Sequence, residues 1–289
     1  MKIALYGNSY QKAKSEHVLL LFEALRKYDI ELFIEKKYFE FLSEQKVYIP
    51  SAQTFDVLEY NVDVVLSVGG DGTFLRTAEQ TAGLNIPILG INAGRLGFLA
   101  DVSKTEIETA VEELMNGNYN IDERTMLQIE VDGLPSDCTP YALNEVAVLK
   151  QDSSSMITIN ATLGNDFLNS YQADGLIVAT PTGSTGYSLS VGGPILMPES
   201  ADFVISPVAP HTLNVRPLVI PDNQEIKLLV DSRTGNYLVA LDGRSYIMPC
   251  DKEIKLSKAP FKTLVVKRTN HTFPVTLRNK LMWGVDNRN

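Results

Sequence analysis

Cysteine is nearly absent: Cys138 and Cys250 are the only two in 289 residues, too few for a disulfide framework and without metal-ligand spacing. A reduced, cytoplasmic setting fits that usage. No apolar run reaches the roughly 20 residues that a membrane helix needs. The opening MKIALYGNSYQK regains charge within a few residues, so it reads as a first buried strand and not as a signal peptide. Histidine is equally sparse. His17, His211 and His271 are scattered and give no support to a zinc site or a Ser-His-Asp hydrolase. The chain also lacks a Walker A sequence, a G-x-G-x-x-G and a G-x-S-x-G elbow. Positive charge is short as well: 26 Lys and Arg against 35 Asp and Glu leave a net charge of −9. That balance argues against a nucleic-acid or anionic-membrane surface, while small anionic substrates stay open because local donors and metal ions bind them. Repeats and low-complexity segments are missing, and the sequons at Asn160 and Asn270 mean little without secretion.

What is present is ordinary soluble composition, 44% hydrophobic and 21% charged, sufficient for a normal core. Strand-like runs at residues 2–6, 30–35, 63–68 and 86–92 alternate with helical patterns at Ser15 to Arg26, after GGDGT through Phe74, Leu75 and Ala78, and at Thr105 to Met115. Such alternation predicts a parallel sheet with helices on its faces. After about Ile121 the texture changes to short alternating or β-branched runs: ERTMLQIEVDG, YALNEVAVLK, SMITINATL, GLIVAT, EIKLLVD, NYLVALDG, KEIKLS and TLVVKR. Gly, Pro, Asn and Asp separate them, which predicts a β sandwich. FPVTLRNKLMWG reads as a short terminal helix that packs back on the first domain. The expected fold class is therefore an α/β, Rossmann-like N-terminal domain (1–122, with 269–289 returning to it) plus an all-β, sandwich-like C-terminal domain (123–268).

Three motifs carry chemistry. Gly69-Gly70-Asp71-Gly72-Thr73 lies between a buried strand and a helix. Glycines let the backbone turn tightly against a ligand, and the helix N-terminus suits phosphate. A carboxylate inside an anion-friendly turn is poorly placed for phosphate binding alone, but well placed to accept a proton or meet a metal. The plain alternative is a turn with an N-cap. Asn144-Glu145 is an amide–carboxylate pair inside an apolar run, costly to bury unless hydrogen-bonded, for instance by a ribose. Alternation that points one of the two to solvent is the competing explanation. The run from Asp174 to Ser190, DGLIVATPTGSTGYSLS, passes from an apolar strand into a hydroxyl- and glycine-rich turn before Gly192-Gly193-Pro194. Hydroxyls and amides bind phosphates or ribose, and Tyr187 offers a face for a base; a surface loop is the bland alternative.

Taken together, GGDGT, NE some seventy residues on and DGLIVATPTGSTGYSLSVGGPI resemble the NAD kinase family over most of the chain. GGDGT alone is shared with lipid kinases of the diacylglycerol and sphingosine type. The resemblance implies an ATP- and Mg²⁺-dependent enzyme that phosphorylates the 2′-hydroxyl of the adenosine ribose of NAD. A lipid kinase and a catalytically silent NAD-binding module are the alternatives. It implies that Asp71 is the proton acceptor, and that Gly69, Gly70, Gly72 and Thr73 bind ATP phosphates. No protein ligand is assigned to the metal, which the ATP phosphates would carry. The NAD contacts would be Gly72, Arg76, Asn144, Glu145, Asp174, Thr182, Thr185, Gly186, Tyr187, Ser188, Leu189 and Ser190. Arg244 matches a family contact only loosely. Gln172 stands near where some members place a basic residue, so a charged contact is expected to be missing. Gly186 stands where alanine is common. The implied assembly is a homodimer or homotetramer, with neither nucleic acid nor membrane as partner.

Overall fold

The computed structural model describes residues 1–8, 15–59, 61–93, 97–152, 155–269 and 271–284. The Asn270 sequon lies outside them. From the start of the chain run β1 (Lys2–Gly7), α1 (Ser15–Leu25), β2 (Glu31–Glu35), α2 (Lys36–Glu44), β3 (Gln53–Phe55), β4 (Val64–Gly69), α3 (Asp71–Gln80), β5 (Ile88–Asn92) and α4 (Ile107–Met115). There follow β6 (Tyr119–Glu130), β7 (Tyr141–Ala142), β8 (Glu145–Lys150), β9 (Ile157–Leu163), β10 (Asp166–Ala173), β11 (Gly175–Ala179), α5 (Tyr187–Ser190) and β12 (Asp202–Val208). The chain closes with β13 (Leu218–Pro221), β14 (Ile226–Asp231), β15 (Asn236–Leu241), β16 (Arg244–Pro249), β17 (Glu253–Arg268) and α6 (Phe273–Leu281). Contacts divide these into two units: Met1–Glu123 with Thr263–Asn289, and Arg124–Lys262.

In the first unit the strands pair in the order β3-β2-β1-β4-β5, all parallel, and Val265 near the end of β17 pairs with Ile88 of β5. Ile3, Leu5, Leu66, Val68 and Ile91 fill one core with Val18, Leu21, Phe22 and Leu25 of α1. These apolar positions recur at helical spacing on α1, which is why that face is buried. The order reverses at β1, so the crevice at the carboxyl ends of β1 and β4 is the switch point where open α/β sheets bind ligands. GGDGT begins at the last residue of β4 and opens α3.

The returning segment is held to this unit by charge pairs. Lys267 reaches Asp101 at 2.8 Å, and Arg268 reaches Glu113 at 2.6 Å and Glu106 at 2.9 Å. Burial works against the charge on Asp101, but hydrogen bonds from His271 and Lys267 hold its carboxyl down to about 2. α6 starts with Pro274 in its first turn, where the missing N–H costs nothing.

The second unit is an antiparallel sandwich. One sheet runs β13-β12-β11-β8-β15-β16, and the facing one contains β10-β9-β14-β17 with β6 and β7 beside β17. Val148, Val178, Ile205 and Val239 from the first meet Ile159, Leu228 and Leu256 from the second in one core. Two details differ from the sequence reading. KEIKLS and TLVVKR are not two strands but one 16-residue strand, β17, which carries Pro260 without breaking. α2, directly after β2 with no turn residue between them, is a helix that the patterning did not reveal.

Candidate functional site

In the first unit, Asp71 occupies the first turn of α3 behind the N-cap Gly70, where the helix dipole favours a negative charge. Its carboxylate is fixed from the other side by a loop. The amide of Phe98 donates to Oδ2 at 2.7 Å, and those of Leu99 and Ala100 donate to Oδ1 at 2.9 and 3.1 Å. So close an approach requires Gly97, since a Cβ there would lie 1.9 Å from Asp71 Oδ1. Thr73 is buried and Gly72 is exposed, with open space above both Gly70 and Gly72. Arg76, one turn further, donates to the Gly7 carbonyl at 2.5 Å and lies 3.4 Å from Glu35 Oε2. The guanidinium thus sits at the carboxyl ends of β1 and β2, tied to protein acceptors.

Gly97→Ala should therefore force the 97–100 loop off Asp71. Overpacking typically costs about 1–3 kcal/mol. The expected outcome is a lower urea midpoint together with lost activity; a variant with both unchanged would show that the loop tolerates the shift.

In the second unit, three strand ends meet. β8 begins at Glu145, and its neighbours β11 and β15 end opposite it, with Ala179 paired to Glu145 and Leu241 to Val146. Asp242 and Gly243 form the two-residue turn after β15, both at positive φ. The half-buried Asp242 carboxylate accepts the amides of Leu143, Asn144 and Glu145 at 2.7, 2.8 and 3.0 Å. Asn144 and Glu145 are thus locked from behind, yet Asn144 Oδ1 and Glu145 Oε2 are buried without a hydrogen-bond partner among the described residues. Burial, then the nearby Asp242 charge, push the Glu145 carboxyl up to about 7, against a hydrogen bond from the Tyr187 amide. Buried acceptors of this kind need a donor, and a ligand hydroxyl supplies one.

The run after β11 wraps this corner. Gly183 lies against the Asn144 carbonyl, which a Cβ would approach to 2.0 Å, and the Gly186 backbone borders both Glu145 and Asn144. Many of its hydroxyls are already bonded within the protein. Thr180 donates to the Leu143 carbonyl at 2.6 Å, Ser184 to that of Pro181 at 2.6 Å, Thr185 to that of Thr182 at 3.2 Å and Ser190 to that of Tyr187 at 2.7 Å. Thr182 receives Arg124 at 3.4 Å, and Ser188 pairs with Ser206 at 2.9 Å. The hydroxyls shape the turn; Tyr187 is exposed, and Leu189 is half-buried.

Asp174 stands elsewhere. It precedes β11, where Gly175 pairs with Leu149, so it lies at the opposite end of the strand pair from Glu145. Five residues of extended chain separate the two ends, about 17 Å at 3.4 Å per residue. There Asp174 meets Lys150 at 2.7 Å, so a cation from the neighbouring strand stands beside it although position 172 is glutamine. Arg244 is spent on the Thr139 and Tyr141 carbonyls at 3.0 and 2.7 Å. Sequence reasoning missed Asp242 and Lys150. The Asp-Gly pair between two alternating runs could have marked the Asp242 turn, but not its grip on three amides.

A glycine-rich strand-to-helix turn at a switch point suits phosphate, and a sandwich corner with an amide oxygen and a carboxylate oxygen awaiting donors suits a hydroxyl-bearing ligand, the features of a nucleotide-binding phosphotransferase. The chain matches the ATP-NAD kinase N-terminal domain over residues 21–119 and the ATP-NAD kinase C-terminal domain over residues 143–268, and it belongs to the NAD kinase family. The NAD kinase of Bacteroides fragilis is 50% identical over 289 residues, covering 100% of both chains. That of Porphyromonas gingivalis is 46% identical, with 98% of each chain covered. The fold is shared with yeast NADH kinase complexed with NADH, at TM-score 0.90 and 21% identity, covering 100% of this chain and 89% of that one. An NAD kinase from Archaeoglobus fulgidus in complex with ATP aligns at TM-score 0.75 and 27% identity over 98% of each chain. These relatives favour the dinucleotide kinase over the lipid kinase and the silent binding module.

Proposed function

We propose that this enzyme transfers the γ-phosphoryl group of ATP to the 2′-hydroxyl of the adenosine ribose of NAD, and that Asp71, Asn144 and Glu145 carry the reaction. The observation that supports it best is the pair of orphaned acceptors, Asn144 Oδ1 and Glu145 Oε2, which ribose hydroxyls would satisfy. Asp71 would orient the acceptor hydroxyl and take its proton late, as the transition state is loose and most catalysis is positioning and charge neutralisation. Gly69, Gly70, Gly72 and Thr73 would receive phosphate oxygens on the backbone of the α3 N-terminus. Among the described residues no cluster of three His, Cys, Asp or Glu could hold a metal. Mg²⁺ would ride on the triphosphate, where it would supply charge neutralisation. Gly186 would give the dinucleotide close access to Asn144 and Glu145, with the Tyr187 ring against a base and Leu189 beside it. Gly72 and Arg76 would face the nucleotide. Thr182, Thr185, Ser188 and Ser190 would act by shaping the turn.

The test is direct: purified protein mixed with NAD, ATP and Mg²⁺ should yield NADP. Phosphorylation of a lipid instead, or NAD binding without turnover, would replace the reading by the corresponding alternative. A cytoplasmic setting is part of it; among the described residues no helix is long and apolar enough to cross a membrane.

The active form would be a homo-oligomer. Asp174 and Glu145 lie at opposite ends of one strand pair, which supports a dinucleotide site where a neighbouring copy contributes an Asp174. Sedimentation across a dilution series should show activity falling as the assembly dissociates; a fully active monomer would refute this.

A further inference from the structure

Lys280, in the last turn of α6, is a charged group of the first unit for which the described residues provide no hydrogen-bond acceptor. Its Nζ is buried and has no hydrogen-bond partner among the described residues. Burying an ammonium without donating its protons is costly, so its retention needs a cause. Helix-terminal lysines ordinarily bond the last carbonyls or reach solvent; this one does neither.

Its surroundings say where it acts. Nζ lies 5.4 Å from the centre of the Phe98 ring. Phe98 is also the residue whose amide donates to Asp71 Oδ2. Asp71 and Asp101 are both within electrostatic range of the ammonium. Neither carboxylate lacks donors. Asp71 holds three amides, and Asp101 has Lys267 at 2.8 Å and His271 at 3.7 Å. The Lys280 charge is therefore available to a third anion.

We propose that Lys280 is a catalytic residue whose ammonium hydrogen-bonds the phosphoryl group during its transfer beside Asp71. The inference rests on the dinucleotide-kinase reading above. In the step, the bond from the acceptor oxygen to phosphorus forms and the bridging oxygen–phosphorus bond breaks, its electron pair leaving with ADP. The hydroxyl proton goes to Asp71. Lys280 keeps its protons and donates to a non-bridging oxygen, where charge is spread in the transition state. Phe98 would hold the ammonium through its ring face when no phosphate is present.

Burial depresses the Lys280 pKa to about 8, against the opposing pull of Asp101 and Asp71 and with help from the positive charge of Lys267. Those three are the titratable groups acting on it, and His271 sits on Asp101.

The experiment follows NADP formation by the full chain, with kcat and KM for both substrates across pH 6 to 10. Lys280→Met should fold with an unchanged or higher Tm, since an unpaired charge is removed. Its kcat should fall by about 10²-fold, the size expected for one lost transition-state donor, with KM for NAD little changed. In the wild type, kcat/KM for ATP, which reports the free enzyme, should decline above about pH 8. Lys280→Arg, whose charge persists, should keep part of the activity and lose that alkaline limb. A wild-type kcat in Lys280→Met overturns the inference, as does an alkaline limb that survives in Lys280→Arg. Should Lys280→Met not fold, the arginine profile decides alone. A wild type that forms no NADP would sink the kinase reading itself, a result distinct from an active wild type with indifferent variants.

Discussion

Asp71→Asn is expected to lower kcat by roughly 10²–10⁴-fold, the usual contribution of a general base, while NAD still binds. The substitution keeps size and shape but removes the proton acceptor. It also disturbs the three amides that the carboxylate now receives, because an Asn side chain can present its oxygen to only one side. Leaving one buried N–H unpaired costs about 1–3 kcal/mol. Both effects are measurable separately: urea denaturation reads the second, and NAD binding with steady-state kcat reads the first. A variant with lower stability but near-normal kcat would mean that Asp71 serves only to tie down the 97–100 loop. The Phe98, Leu99 and Ala100 amides make that outcome a serious competitor, which is why the two measurements belong together.

Glu145→Gln should separate function from stability in opposite directions. The folded-state pKa of Glu145 is raised from 4.5 to about 7 by burial and then by Asp242. A raised carboxyl pKa contributes stability that is fully present below 4.5 and lost as pH rises through about 7. Above that, the fold carries a buried charge that it would prefer not to have. At 1.36 kcal/mol per unit this is on the order of 3 kcal/mol. Glutamine carries no charge and can still accept from the Tyr187 amide, so the variant should be more stable than wild type at pH 8. The difference should vanish near pH 4. KM for NAD should nevertheless rise, and more than KM for ATP, because Glu145 and Asn144 would hold the acceptor; Asn144→Ala should follow the same kinetic pattern. A variant no more stable at pH 8, or one that weakens ATP more than NAD, would contradict the assignment.

The stretches of sequence that revealed this site are those in which local chemistry and backbone geometry coincide. GGDGT after an apolar run implied a strand, a tight turn and a helix start, and β4 and α3 follow that reading. Asn144-Glu145 stood out because polarity interrupted an apolar strand. The supporting groups were opaque for a physical reason: Asp242 lies 97 residues from Glu145 and Lys150 lies 24 from Asp174, and strand pairing alone brings them together. Hydroxyl-rich composition misled in a different way. TPTGSTGYSLS suggested free hydroxyls for a ligand, but Thr180, Ser184 and Ser188 are fully buried and bonded inside the protein. Composition shows which groups exist and not which of them the fold itself consumes. Pro260 in β17 misled by suggesting a break where the strand continues.

The return of residues 263–289 to the first unit has a consequence for how the chain is made. Residues 124–262 leave the ribosome as one uninterrupted piece and can complete their sandwich at once. The α/β unit must wait through their translation for its last strand and α6. At 5–20 residues per second, that delay is on the order of ten seconds. Throughout it, the side of β5 away from β4 is covered by Val102 around Gly90 to Asn92, while Ile88 lacks the Val265 partner that β17 later brings. A nascent chain of this protein therefore passes through a stage in which its later half is finished and its earlier half is exposed. Trigger-type chaperones that shield apolar nascent segments would be expected to dwell on the first 123 residues and not on the sandwich.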